Sequence, residues 1–168
     1  SGLSLAVTFG GTDGSLGAPV VTALPSSAVA LVAAQLDADD ADELVLALAA
    51  GAVFVLDASA PDLVGAPALS GLTGLARIVG FRTVSGLDGI VVARPALRIV
   101  EVYARTGTDP FSLAASAPGS SETTSLLAVP GGAEWPLVVE GGEGGLVEHG
   151  VGWGGREVDA FGPVNGLS

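Results

Sequence analysis

The sequence predicts an all-β protein made of β-propeller blades, each a small sheet of four antiparallel strands. Three observations lead there. Apolar segments recur at a step of about 46 residues along the 168-residue chain. The segments are short, rich in Val, Leu and Ala, and separated by Gly, Pro, Asp or Ser, the pattern of strands and turns. Four such segments fall in each step, and four strands per 40–50 residues is the signature of a propeller blade.

The repeat rests on independent markers. Segments centred on Val7, Val53, Ile99 and Leu146 are spaced by 46, 46 and 47 residues. A second set, at 44–46, 90–92 and 137–139, keeps steps of 46 and 47. Gly-Ala-Pro recurs at Gly17 and Gly65, and Phe161-Gly-Pro-Val164 reads as a shortened third copy.

In chain order, residues 3–23 hold a third and a fourth strand. The clearest unit follows, with strands at 28–34, 43–49, 52–57 and 66–70. The run 42–56 contains good helix formers, but Gly51 and the β-branched Val45, Val53 and Val55 oppose a helix. Residues 27–36 are Ala-rich and helix-compatible by themselves; their repeat equivalents, 76–80 and 124–128, read as strands, which decides for β. The division is a half-blade at 1–24 and blades at 25–72, 73–118 and 119–168, about three and a half in all. A propeller closes with 4–8 blades, so a partner is expected. It is either another protein or a second copy, since two sets of three and a half blades would make seven. A part-ring left open would expose apolar faces and strand edges.

Composition narrows the function classes. The chain has six basic and 18 acidic residues, a net charge of −12, which opposes binding to nucleic acid or anionic membranes. All six basic residues are Arg, and there is no Cys, which excludes disulfides, zinc–thiolate sites and thiol catalysis. The longest apolar run, residues 44–56, is interrupted by Gly51 and is too short for a bilayer, which takes about 20 residues. No membrane insertion is expected. Ser1 begins in mid-repeat without a Met, as expected after removal of a leader or excision from a longer chain.

Residues 35–44, Gln-Leu-Asp-Ala-Asp-Asp-Ala-Asp-Glu-Leu, form an acidic loop running into an apolar strand. With residues 13–20, Asp-Gly-Ser-Leu-Gly-Ala-Pro-Val, this unit resembles the FG-GAP/VCBS-type repeat of integrin-α-like propellers. The resemblance extends over nearly the whole chain, and its motifs are specific in that one unit and the Gly-Ala-Pro phrases. It implies a secreted or cell-surface protein and a calcium loop between the first and second strands. On that pattern Gln35, Asp37, Asp39 and Glu43 occupy ligand positions, with Gln35 replacing a carboxylate and Asp40 replacing the usual Gly. Calcium takes six to eight oxygens, and these residues offer part of such a shell. The corresponding loops hold only Asp88 and Glu134, too few for a metal.

No catalytic constellation is legible. His149 is the single histidine, expected to face solvent or pack. Its neighbour Glu148 points to the opposite side of the strand, and no Ser-His-Asp set is singled out. Gly150 to Gly155 lacks the helix a phosphate loop requires. Trp135 and Trp153 are candidates to stack on a sugar or anchor a protein, against a packing role between blades. The function expected is a non-enzymatic protein-interaction or adhesion module; the alternative is a carbohydrate-binding propeller lectin using the two Trp residues.

Overall fold

The computed structural model describes residues 2–39, 41–57, 61, 63, 65–129, 136–142 and 145–149. The protein is all-β: among the described residues the only helical element is a single 3-10 turn, Pro95–Leu97. Every strand pairing is antiparallel and joins strands consecutive in sequence, so each sheet is a simple meander. The first sheet pairs β1 (Ser4–Val7) with β2 (Val20–Ala23). The second contains β3 (Ala28–Ala34), β4 (Glu43–Leu48) and β5 (Val53–Leu56). The third has four strands, β6 (Arg77–Arg82), β7 (Leu87–Arg94), β8 (Ile99–Thr106) and β9 (Ser112–Pro118). The fourth has β10 (Thr123–Val129), β11 (Leu137–Gly142) and β12 (Gly145–His149).

The repeat is visible in the pairing. Val7, Val53 and Ile99 each pair with the segment that follows: Val20, Leu69 and Pro118 respectively. The expected strand at 66–70 is reduced to the single bridge at Leu69. Gly51 turns the chain between β4 and β5 with φ of 80°. Its N–H and carbonyl are both engaged, the carbonyl by Leu72 N–H at 2.9 Å, and a Cβ there would lie 2.9 Å from the Leu72 backbone. The contact carries the antiparallel Val53–Leu69 pairing on past the start of β5. Phe161 to Val164 lies outside the described residues.

The run 44–56 is apolar without alternation because β4 is covered on both faces. Successive side chains of a strand point to opposite sides. Leu46 and Leu48 join Leu5 of β1 and Leu56 in one core. Val45 and Ala47 point the other way and meet Ile78, Ile90 and Val92 of the third sheet, together with Leu36 and Val53. A third core joins Phe81, Val91, Ala93, Val100 and Val102 to Val138 of β11. The four sheets therefore stack face to face in sequence order, with β3 beside β6 and β6 beside β10. Gly80 of β6 sets how close β3 comes: a Cβ there would lie 2.3 Å from that of Ala34.

Candidate functional site

The acidic loop spans residues 35–42, between β3 and β4, and the chain folds it through its own carboxylates. Asp37 Oδ1 accepts from Asp39 N–H at 2.9 Å, and Asp39 Oδ1 accepts from Ala41 N–H at 2.8 Å. These are the short-range turns Asp forms when its side chain caps a backbone amide two residues on. Glu43, the first residue of β4, is buried, and its Oε2 accepts from Leu36 N–H at 2.6 Å. Gln35 spans the loop by donating its side-chain amide to the Asp39 carbonyl. Asp40 lies outside the described residues.

Carboxylate oxygens of Asp37, Asp39 and Glu43 all lie within 4.8 Å of one another. Oxygens around one calcium ion at about 2.4 Å lie no more than about 4.8 Å apart, so this spacing permits a shared hard cation. Two of the three residues are exposed, leaving an open side for water ligands. Burial pushes the Glu43 carboxyl above the usual range; the Leu36 N–H opposes this, while Asp37 and then Asp39 add to it by repulsion. A divalent ion among the three would remove that repulsion. The cluster therefore has the oxygen chemistry and spacing to hold a metal ion. Gln35 belongs to the same loop, with its amide nitrogen committed to the backbone.

Beside this loop lies a second carboxylate that carries its own cations. Asp88 of β7 is 1% exposed, and Arg82 Nη1 lies 2.5 Å from its Oδ1. Arg105 Nε is 3.7 Å from Oδ2. The same Arg105 donates through Nη2 to the Leu36 carbonyl at 3.1 Å and stacks its guanidinium 4.5 Å from the Phe111 ring centre. Arg105 thus ties the third sheet to the start of the acidic loop. Burial raises the Asp88 carboxyl above its usual range, with both arginines opposing and Asp37 adding to the rise.

Two further polar clusters each join strands of one sheet. Arg94 meets Glu101 at 3.0 Å and donates to the Thr73 carbonyl at 2.8 Å. Glu140 accepts from Ser120 N–H at 3.1 Å and from Thr123 Oγ1 at 2.5 Å, and His149 Nε2 lies 3.2 Å from its Oε2. His149 is a packed histidine whose carboxylate partner is Glu140, nine residues earlier, on the adjacent strand. The pairing of Val138 with His149 puts Glu140 on the same face, one diagonal step away. The sequence signal for this is the β11–β12 hairpin itself, whose register brings the two side chains together. A shallow concavity of about 310 Å³ near the far end of β8 and β9 is lined by Leu87, Arg105, Asp109 and Ser112 among others. Its one carboxylate, Asp109, has no second acid beside it in the lining. Glu134, Trp135 and Trp153 lie outside the described residues.

Comparison with protein-family models, curated proteins and solved structures gave no match. The functional reading therefore rests on the geometry above.

Proposed function

We propose that this chain is a non-enzymatic protein-interaction module, part of a propeller-type assembly that a protein partner completes, with calcium held by the loop 35–43. The observation that carries the reading is apolar surface at both ends of the sheet stack. Toward one end, Leu31 of β3 is exposed on the part of the second sheet that the two-stranded first sheet leaves bare, and at the other end Leu127 and Val129 of β10 with Leu146 of β12 are exposed. Interior sheets of the same stack bury the corresponding strands between neighbours. Sheets with uncovered apolar faces favour association. Asp88 with its arginines and Glu140 with His149 are buried groups already matched to one another, which suits a scaffold more than a reaction centre.

Calcium in this reading is structural: Asp37, Asp39 and Glu43 supply carboxylate oxygens, Gln35 lies at the loop's first position, and water completes the shell. The resemblance to FG-GAP/VCBS-type repeats supports the same assignment, together with a secreted or surface setting and a role in adhesion. No helix among the described residues is long and apolar enough to cross a membrane.

The test is the native mass of the chain with calcium and with chelator, alone and after exposure to extracellular binding partners. A calcium-strengthened complex supports the reading. A monodisperse monomer that captures nothing in either condition overturns it.

A further inference from the structure

The leading face of the second sheet is covered on one half and bare on the other, and the molecule itself displays what covers such a face. Leu31 of β3 pairs with Leu46 of β4; Ile78 of β6 pairs with Val92 of β7. Leu46 and Val92 are 46 residues apart, so Leu31 and Ile78 hold the same place in successive repeats. Ile78 is 4% exposed because β3 and β4 of the preceding sheet lie over it. Leu31 is 47% exposed, and Ala33, two residues on, is exposed on the same face. The difference arises in the first sheet. Its strands β1 and β2 occupy the third and fourth positions of the repeat, where they cover β4 and β5 through Leu5. Nothing among the described residues stands in the first and second positions above β3.

The edge of β1 facing that gap pairs with no strand among the described residues. Leu24 N–H donates to the Leu3 carbonyl, which fixes the alternation of the β1–β2 ladder. Leu3, Leu5 and Val7 bond toward β2, so the amides of Ser4 and Ala6 point to the opposite edge, away from β2. An apolar stripe beside a free strand edge is a receptor for strand addition, in which main-chain bonds give affinity and side-chain pockets give specificity.

We propose that this slot takes a two-stranded antiparallel hairpin from a protein partner, with one strand added to the free edge of β1 and the other laid over Leu31 and Ala33. The inference rests on the interaction-module reading and specifies its partner. The occupant's chemistry follows from β3–β4, β6–β7 and β10–β11, which hold the first and second positions of their own sheets, with β3–β4 covering β6: runs of Val, Leu, Ile and Ala, with a small residue where the sheets approach closely. Gly80 against Ala34 is the internal example. A second copy of the chain is a poor occupant. It brings another third-and-fourth pair, while its hairpins β3–β4, β6–β7 and β10–β11 are each built into a sheet of their own. This alters the expectation that two copies would complete one ring.

The experiment appends residues 76–94, the β6–β7 hairpin sequence, ahead of the full chain through a flexible Gly-Ser linker. Amide hydrogen exchange is then read at Ser4 and Ala6, with Leu31 methyl accessibility as a second readout. Docking slows exchange at both amides by at least about tenfold and shields Leu31. Leu31→Asp reverses the protection, whereas Val84→Asp, in an exposed turn of the third sheet, leaves it intact. Unchanged exchange at Ser4 and Ala6 overturns the slot, and so does protection that survives Leu31→Asp. Protection of the same amides in a dimer of the unmodified chain also overturns it, in favour of a second copy. Failure here leaves the broader association reading to its own test, native mass and partner capture, so the two can fail separately.

Discussion

The loops that join the first and second strands of two successive sheets solve one electrostatic problem in opposite ways. In the second sheet the connection is eight residues long, 35–42, and ends at buried Glu43. In the third it is four residues, 83–86, closed by Thr83, whose N–H and hydroxyl both engage Leu87, and ends beside buried Asp88. Both carboxyls are pushed upward, chiefly by burial. Asp88 receives compensation from Arg82 and Arg105 within the fold. Glu43 receives one backbone N–H and faces two more carboxylates. A short loop beside internal arginines makes a self-contained ion cluster; a long acidic loop makes a cluster of carboxylates with no arginine against it among the described residues. The scaffold is shared, and the source of positive charge differs.

The largest expected effect comes from breaking the self-contained side. Asp88→Ala leaves two guanidinium groups without their carboxylate and removes a side chain that is 2% exposed. It should destabilise the chain by about 3 kcal/mol in urea unfolding, with no rescue by calcium. Recovery of stability in calcium would mean that the two corners are not independent.

On the other side, saturating calcium should stabilise the wild type by about 2.7 kcal/mol at a hundredfold excess over Kd. Asp37→Asn combined with Asp39→Asn should abolish the gain while leaving the Asp88 cluster intact. A calcium shift that persists in the double variant would place the ion elsewhere.

Glu43→Gln sharpens the contrast through its sign. Gln can still accept from Leu36 N–H, and it removes a charge repelled by Asp37 and Asp39. In chelator the variant should match or exceed the wild type by up to about 1 kcal/mol, and in calcium it should fall below it. The same order of stabilities in both conditions would refute the repulsion account.

The smallest effect is the pH slope in chelator. With both carboxyls raised, the folded chain binds more protons than the unfolded chain between the ordinary carboxylate values and the raised ones. The contribution of each is fully present below its unfolded value and is lost as pH rises through its folded value. Stability should therefore decline with rising pH across that window. Glu43→Gln should reduce the slope and leave the part due to Asp88. An unchanged slope would assign the whole effect to Asp88.

The sequence by itself determined the all-β class, the step of about 46 residues and the position of the acidic loop. These follow from short-range rules: β-branched and apolar runs cut by glycine, and carboxylates at alternate positions of one loop. Strand β3 lies where the repeat placed it, and Ala-rich composition did not make it a helix, because its pairing with β4 and its packing on β6 outweigh a small intrinsic preference. Only the tertiary structure decided which charges meet. Arg105 reaches Leu36 across 69 residues, and Glu140 finds His149 through a hairpin register, relations that no local spacing encodes. The exposure of Leu31 belongs to the same class. Its strand is apolar by composition, but whether that face is covered depends on which strands the preceding sheet places above it.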